Sequence, residues 1–532
     1  MRAVYLSVAA LLVAMGSPTA AQAQSSAIEQ GSLAELDPWA VGAPARGEAA
    51  LPRTLWRQSD PAALELAFDR VPPTIGSPTA LRLTRQALLS PAEQPSGVAV
   101  VAARKRYEAL ARIGAGEEIA SMVSGSGEAK RDPAIALYAT QGDLGRGRLR
   151  EACRRADLIQ TDAPPPFVLR LRVLCFAEAG ERESADLAME VARVTNAADP
   201  TLPWFQGAVA VLNGAPPARP PLARYDTSLN AATSIAAKLR PPPQNALVNA
   251  STFALAIVAR SETAPAGLRA QAAAKALRMA AIPADVARAA GRVDALEKTP
   301  TPLGLSVKEV EAAAGPYAQA LAIDVALKRA KPHGEFTAMA RLFAPDIARL
   351  PIDPGTAPAA ATFARALMAI GDHRAALAWR RSADTVPADP ALLGILDLAL
   401  TIAADDAAAA RFAAERRIDT AAARTDGLAA RDLTALQALG YDIGETARAF
   451  VARTPPALGR KPDPSLMMLM TTAAQRGAAG EVALHAALAI GDGAEQLDAA
   501  SLAQILGALR AVGLAEPARH AALEAVVAGQ AR

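Results

Sequence analysis

The sequence predicts an all-α protein built as an α-solenoid, a right-handed superhelix of antiparallel helix pairs in one or two arrays. Three observations lead there. About 135 of the 532 residues are alanine and only 4% are aromatic, a bias towards helix, because strands draw on aromatic and β-branched side chains. Capping residues stand repeatedly before prolines, and between those boundaries apolar residues recur at three- and four-residue steps. The length is about three times that of an ordinary domain, so several cores or a repeat array are expected. With 52% hydrophobic residues and a net charge of +3, the chain is too apolar and too nearly neutral for wholesale disorder.

The first residues read as a secretory signal peptide. Arg2 is the positive region, Val4 to Met15 the apolar run and Ala21-Gln22-Ala23 the small-x-small site, with cleavage expected before Gln24. The run is too short to span a bilayer, and no later apolar stretch reaches spanning length. Arginine outnumbers lysine about five to one, a coding bias of G+C-rich bacteria. The expected location is the periplasm, with full secretion second.

Seven dipeptides mark helix starts: Asp60-Pro61, Ser77-Pro78, Ser90-Pro91, Asp132-Pro133, Asp199-Pro200, Asp353-Pro354 and Asp389-Pro390. The first residue offers an oxygen to an unpaired amide of the first turn, and proline lacks only an N–H that would have been unpaired there. Ser90 and Glu93 also fit a capping box. Leu149, Ala152, Cys153, Ala156 and Ile159 form one helical stripe, and Phe167, Leu171, Leu174 and Cys175 another. Thr161 to Pro166 interrupts them, so the segment predicts a helical hairpin.

Gly142-Asp143 is followed by Gly147, Gly180-Glu181 by Ala185 and Gly371-Asp372 by Ala376. Each predicts a helix end, with a small residue opening the next. The first two lie about 38 residues apart, near the period of helical-hairpin repeats. With Ala366 to Trp379 as its nearest match, the chain here resembles the tetratricopeptide-like superfamily over some 60–90 residues. That resemblance implies stacked helix pairs. The expected organisation is a signal peptide (1–23), a loose mature start (24–51), a first helical array (52–214), a Pro-rich linker (215–225) and a second array (226–532).

Cys153 and Cys175 are the only cysteines. Each lies about eleven residues from the turn near Pro164, so in an antiparallel pair they stand at equal height. Two readings are open, a disulfide and two buried thiols, and an oxidising compartment favours the first. The closed loop would then stabilise by about 3 kcal/mol.

Reactive constellations are missing from the sequence pattern. His333, His373, His485 and His520 are far apart and show no metal-ligand spacing, and there is no nucleophile elbow, P-loop or dinucleotide fingerprint. No cofactor or metal is expected. Gly142 to Gly147 and Ser124 to Gly127 read as turns, Glu117-Glu118 as solvated and Asp405-Asp406 as a helix start. The basic runs Arg104-Lys105-Arg106 and Arg146 to Arg155 lack interleaved aromatics and read as solvated helix faces, so nucleic acid is not an expected partner. Trp39 and Trp56 are candidates for partner contact if exposed, although such residues more often fold back on a neighbouring helix. Leu466 to Met470 reads as a buried helix.

The functional expectation is a non-catalytic periplasmic scaffold that binds protein partners in envelope, appendage or motility assembly. An enzyme acting on peptidoglycan or another envelope polymer is one alternative, and a holdase or ligand-binding protein another.

Overall fold

Four of the seven proline-marked boundaries cap helices as expected. Asp60, Ser77, Asp132 and Asp389 each accept a first-turn amide with proline next in the chain. A computed structural model describes residues 37–44, 48–159, 161, 163–195, 198–421 and 426–529. The signal-peptide reading, its cleavage site and the mature start as far as residue 36 lie outside them. Among the described residues there are twenty-seven α-helices and no strand beyond one isolated bridge, Arg460 with Leu497. The protein is all-α.

The chain opens with α1 (Pro61–Asp69), α2 (Pro78–Leu89), α3 (Val100–Arg112), α4 (Gly116–Gly125), α5 (Gly127–Arg131) and α6 (Pro133–Gly145). Then come α7 (Leu149–Leu158), α8 (Pro166–Glu178), α9 (Arg182–Thr195) and α10 (Leu202–Leu212). The middle holds α11 (Ser228–Ala236), α12 (Thr252–Arg260), α13 (Ala266–Arg278), α14 (Ala284–Asp294), α15 (Pro302–Ala312), α16 (Pro316–Arg329) and α17 (His333–Ile347). Next are α18 (Ala360–Ile370), α19 (His373–Ala383), α20 (Pro390–Ala404), α21 (Ala410–Asp419) and α22 (Asp426–Ala438). The chain finishes with α23 (Gly444–Arg453), α24 (Pro464–Gln475), α25 (Ala479–Ile490), α26 (Ala499–Ala511) and α27 (Ala515–Ala528). No described helix is long and apolar enough to cross a membrane.

From α12 to α21 each helix packs on the next in the chain. Distant segments then meet: α12 lies on α6, α1 and α2 pack on α25, and α27 contacts α2, α18 and α20. Buried carboxylates secure that closure. Glu524 accepts the Ser77 hydroxyl (2.8 Å), the Thr79 amide (2.8 Å) and the Ala494 amide (3.0 Å). Glu481 accepts the Asp60 amide at 2.9 Å. Hydrogen-bonded carboxylates satisfy amides that burial would otherwise strand at a cost of about 1–3 kcal/mol each.

Several local expectations are corrected. Ser90 ends α2 instead of starting a helix: its hydroxyl donates to Gln86 O and accepts the Leu51 amide, while Glu93 turns to Arg57. Asp199 and Asp353 cap short turns that precede helices. The helix α6 runs through Gly142-Asp143 and ends before Gly147, whose φ of 74° is the left-handed turn, and Asp143 is buried between Arg146 and Arg155. By contrast, Gly180 and Gly371 do end helices, with φ of 78° and 87° that favour glycine. Of the pair Asp405-Asp406, Asp405 ends α20 and pairs with Arg519, while Asp406 accepts the Ala408 and Ala409 amides of the turn that leads into α21. Ser124 and Gly125 close α4, and Ser126 caps α5.

Arg106, expected on a solvated face, is fully buried. It donates to Leu88 O (2.8 Å), Pro38 O (3.0 Å) and Ser90 O (2.9 Å), and its guanidinium stacks on the Trp39 ring. Those carbonyls fix the segment around Trp39, which was expected to be loose. Burial lowers the Arg106 pKa to about 10.

Candidate functional site

The hairpin of α7 and α8 carries a disulfide between Cys153 and Cys175, with 5.8 Å between the Cα atoms. It braces a side arm with a small core of its own. Val173 and Ala177 from α8, Ala185 from α9 and Leu202, Phe205 and Val209 from α10 form a cluster distinct from the main core.

The outermost member is α9, whose one extensive helical neighbour is α8. Its packed side consists of Ala185, Ala188, Met189 and Ala192, a stripe of mostly small residues at helical spacing. Leu187, Val191 and Val194 recur at i, i+4 and i+7 on the opposite side, and they are 70%, 46% and 72% exposed. A helix apolar on two opposite sides is normally covered on both. Burying a Leu or Val is worth about 1.5–3 kcal/mol, so the outward stripe forgoes a sizeable part of that. Exposed Glu183, Asp186 and Glu190 run along one edge of it, and Glu190 pairs with Arg193.

A second feature is a cleft of about 510 Å³ where α4, α6, α12, α13, α14 and α17 converge. Glycines allow the close approach. A Cβ on Gly116 would come within 2.9 Å of Gly142, and one on Gly145 within 2.6 Å of the Phe253 ring. Phe253, Leu277 and Ile282 form an apolar wall, and Arg146, Arg260 and Arg341 bring three positive charges. Both cleft carboxylates are already engaged: Glu117 pairs with Arg146 and Glu118 with Arg85. Among the described residues Arg260 donates to two backbone carbonyls, Gly145 O and Ala256 O, both at 3.4 Å. Arg341, partly buried, has no hydrogen bond or ion pair with any described residue. Burial lowers its pKa to about 10, helped by Arg82.

Trp39 and Trp56 are 2% and 0% exposed and pack edge-on to each other beside Phe68. Of the two readings, folding back is the one realised, so neither ring is available as a surface anchor. Within α24, Leu466, Met467 and Met470 are buried while Met468 is exposed. His333, His373 and His520, distant in sequence, meet around a void of only about 30 Å³ beside Glu524 and Arg82. Burial pushes His333 to about 4, His485 to about 4 and His520 to about 3. Among the described residues no group of His, Cys, Asp or Glu could hold a metal ion.

The sequence pattern could have revealed the outer stripe of α9, since two opposed apolar stripes are legible in residues 182–195. Nothing local signals the cleft, whose arginines come from helices far apart in the chain. No family model, curated protein or solved structure matches this chain.

Proposed function

We propose that the protein is a non-catalytic, exported helical-repeat scaffold of the bacterial envelope, with the outer face of α9 as its docking surface for a protein partner. The observation that carries this reading is the outward stripe of Leu187, Val191 and Val194 on a disulfide-braced arm. Anchors spaced i, i+4 and i+7 match an amphipathic helix laid alongside. The acidic edge of Glu183, Asp186 and Glu190 calls for basic residues on that partner, and it disfavours an anionic lipid surface. The disulfide fits an oxidising compartment such as the periplasm. Sequential packing from α12 to α21 supports stacked helix pairs of the tetratricopeptide-like kind.

A photo-crosslinking residue at position 187 of the full chain, expressed in its native host, tests this. The expected result is a discrete adduct with another protein, lost on Val191→Glu and absent when the crosslinker sits at exposed Leu296. Adducts equally abundant at both positions, or none at 187, would contradict the proposal.

A further inference from the structure

The cleft between α4, α12 and α17 is lined by three arginines, Arg146, Arg260 and Arg341, against two carboxylates, Glu117 and Glu118. Its two carboxylates, Glu117 and Glu118, are held by Arg146 and Arg85, and Glu48, near Arg341, is held by Arg82. Among the described residues neither Arg260 nor Arg341, both lining the cavity, makes an ion pair, although Glu117 and Asp285 act on Arg260 from further away. Both guanidiniums are half-buried, and a bound anion would give them charge-assisted hydrogen bonds. The N-termini of α4 and α14 also line the cavity, but their first turns carry Glu117, Glu118 and Asp285, so they add little positive field of their own. The remaining wall is apolar, from Phe253, Leu277 and Ile282, and a volume of about 510 Å³ lies in the range of small-molecule sites.

The geometry points to a binding site for a small amphiphilic anion, with a carboxylate or phosphate head on Arg341 and Arg260 and a short apolar body against Phe253 and Ile282. The site is separate from the α9 face and does not depend on it.

Calorimetry on the full mature chain, with octanoate, hexyl phosphate and neutral 1-octanol as probes, tests the proposal. Saturable binding of at least one anionic probe is expected, with octanol bound at least tenfold more weakly. The preferred head group separates the carboxylate from the phosphate source. Arg341→Gln should weaken binding at least tenfold, and Ala281→Phe should abolish it by filling the cavity without removing a charge. Should either variant misfold, phenylglyoxal labelling of the wild-type protein supplies a second readout: Arg341 should react, and the bound anion should protect it. No saturable anion binding, octanol binding as tight as the anions, or an anion that leaves Arg341 labelling unchanged would overturn the assignment.

Discussion

Replacing both Cys153 and Cys175 by serine should loosen the side arm by an amount that chain entropy fixes. The bridge closes a sequence separation of 22 residues, for which the loop-entropy relation gives about 3 kcal/mol at 25 °C. Both ends lie in one hairpin, so the loss should be local: α7, α8 and the helices that pack on them should open more easily while the closure of α25 and α27 on α2 stays intact. At 1.36 kcal/mol per tenfold, about 3 kcal/mol becomes roughly a hundredfold faster amide exchange wherever opening is sub-global. Hydrogen exchange read by mass spectrometry would compare peptides from 149–178 with peptides from 479–490 in the oxidised and the doubly substituted chain. Unchanged protection in the first set, or an equal loss in both, would refute the reasoning. A non-reducing digest of the wild-type protein should contain the linked Cys153–Cys175 peptide.

Acid should destabilise the protein earlier than carboxylate titration alone would. The pKa values of His333 and His485 are pushed down to about 4 by burial, so the folded state holds them neutral while the unfolded chain protonates them near 6.5. Their stabilising share is complete above about pH 6.5 and is lost as pH falls towards 4, at about 2 kcal/mol each by pH 5. Thermal midpoints at pH 7 and pH 5 measure it, and His485→Leu should shrink the difference; an unchanged difference would be evidence against this cause. Gly480→Ala should destabilise by about 1–3 kcal/mol through overpacking, because its new Cβ would lie 2.1 Å from the Trp56 ring. Urea unfolding that matches wild type would show that the contact between the Trp56 segment and α25 is looser than described.

What the sequence disclosed was whatever depends on near neighbours. The caps at Asp60, Ser77, Asp132 and Asp389 follow from one side chain and the proline beside it. The equal height of Cys153 and Cys175 followed from two distances to one turn, since an antiparallel hairpin equates chain distance with height, and the structure settles between the two readings in favour of the disulfide. The closure was illegible because Glu481 and Glu524 look like ordinary helix-surface acids until helices more than 400 residues away bring amides to them. Arg106 failed for the same reason: a basic run suggests solvent, yet three carbonyls, from the end of α2 and the segment around Pro38, replace water around its guanidinium. Ser90 shows a local rule losing to tertiary structure, because Leu51 and Gln86 claimed its hydroxyl before a helix could. The cleft was invisible for a different reason. An arginine without a partner is defined by what is missing around it in space, and no spacing in the chain encodes that.

The proposal that α9 works as a covered surface is tested most directly by comparing its exposure in the cell and in isolation. Carbene footprinting would measure labelling of Leu187, Val191 and Val194 in intact cells and in the purified chain, normalised to exposed Leu296. The account predicts labelling several-fold lower in cells at those three side chains and unchanged at Leu296. Equal labelling of the stripe in both settings would contradict it.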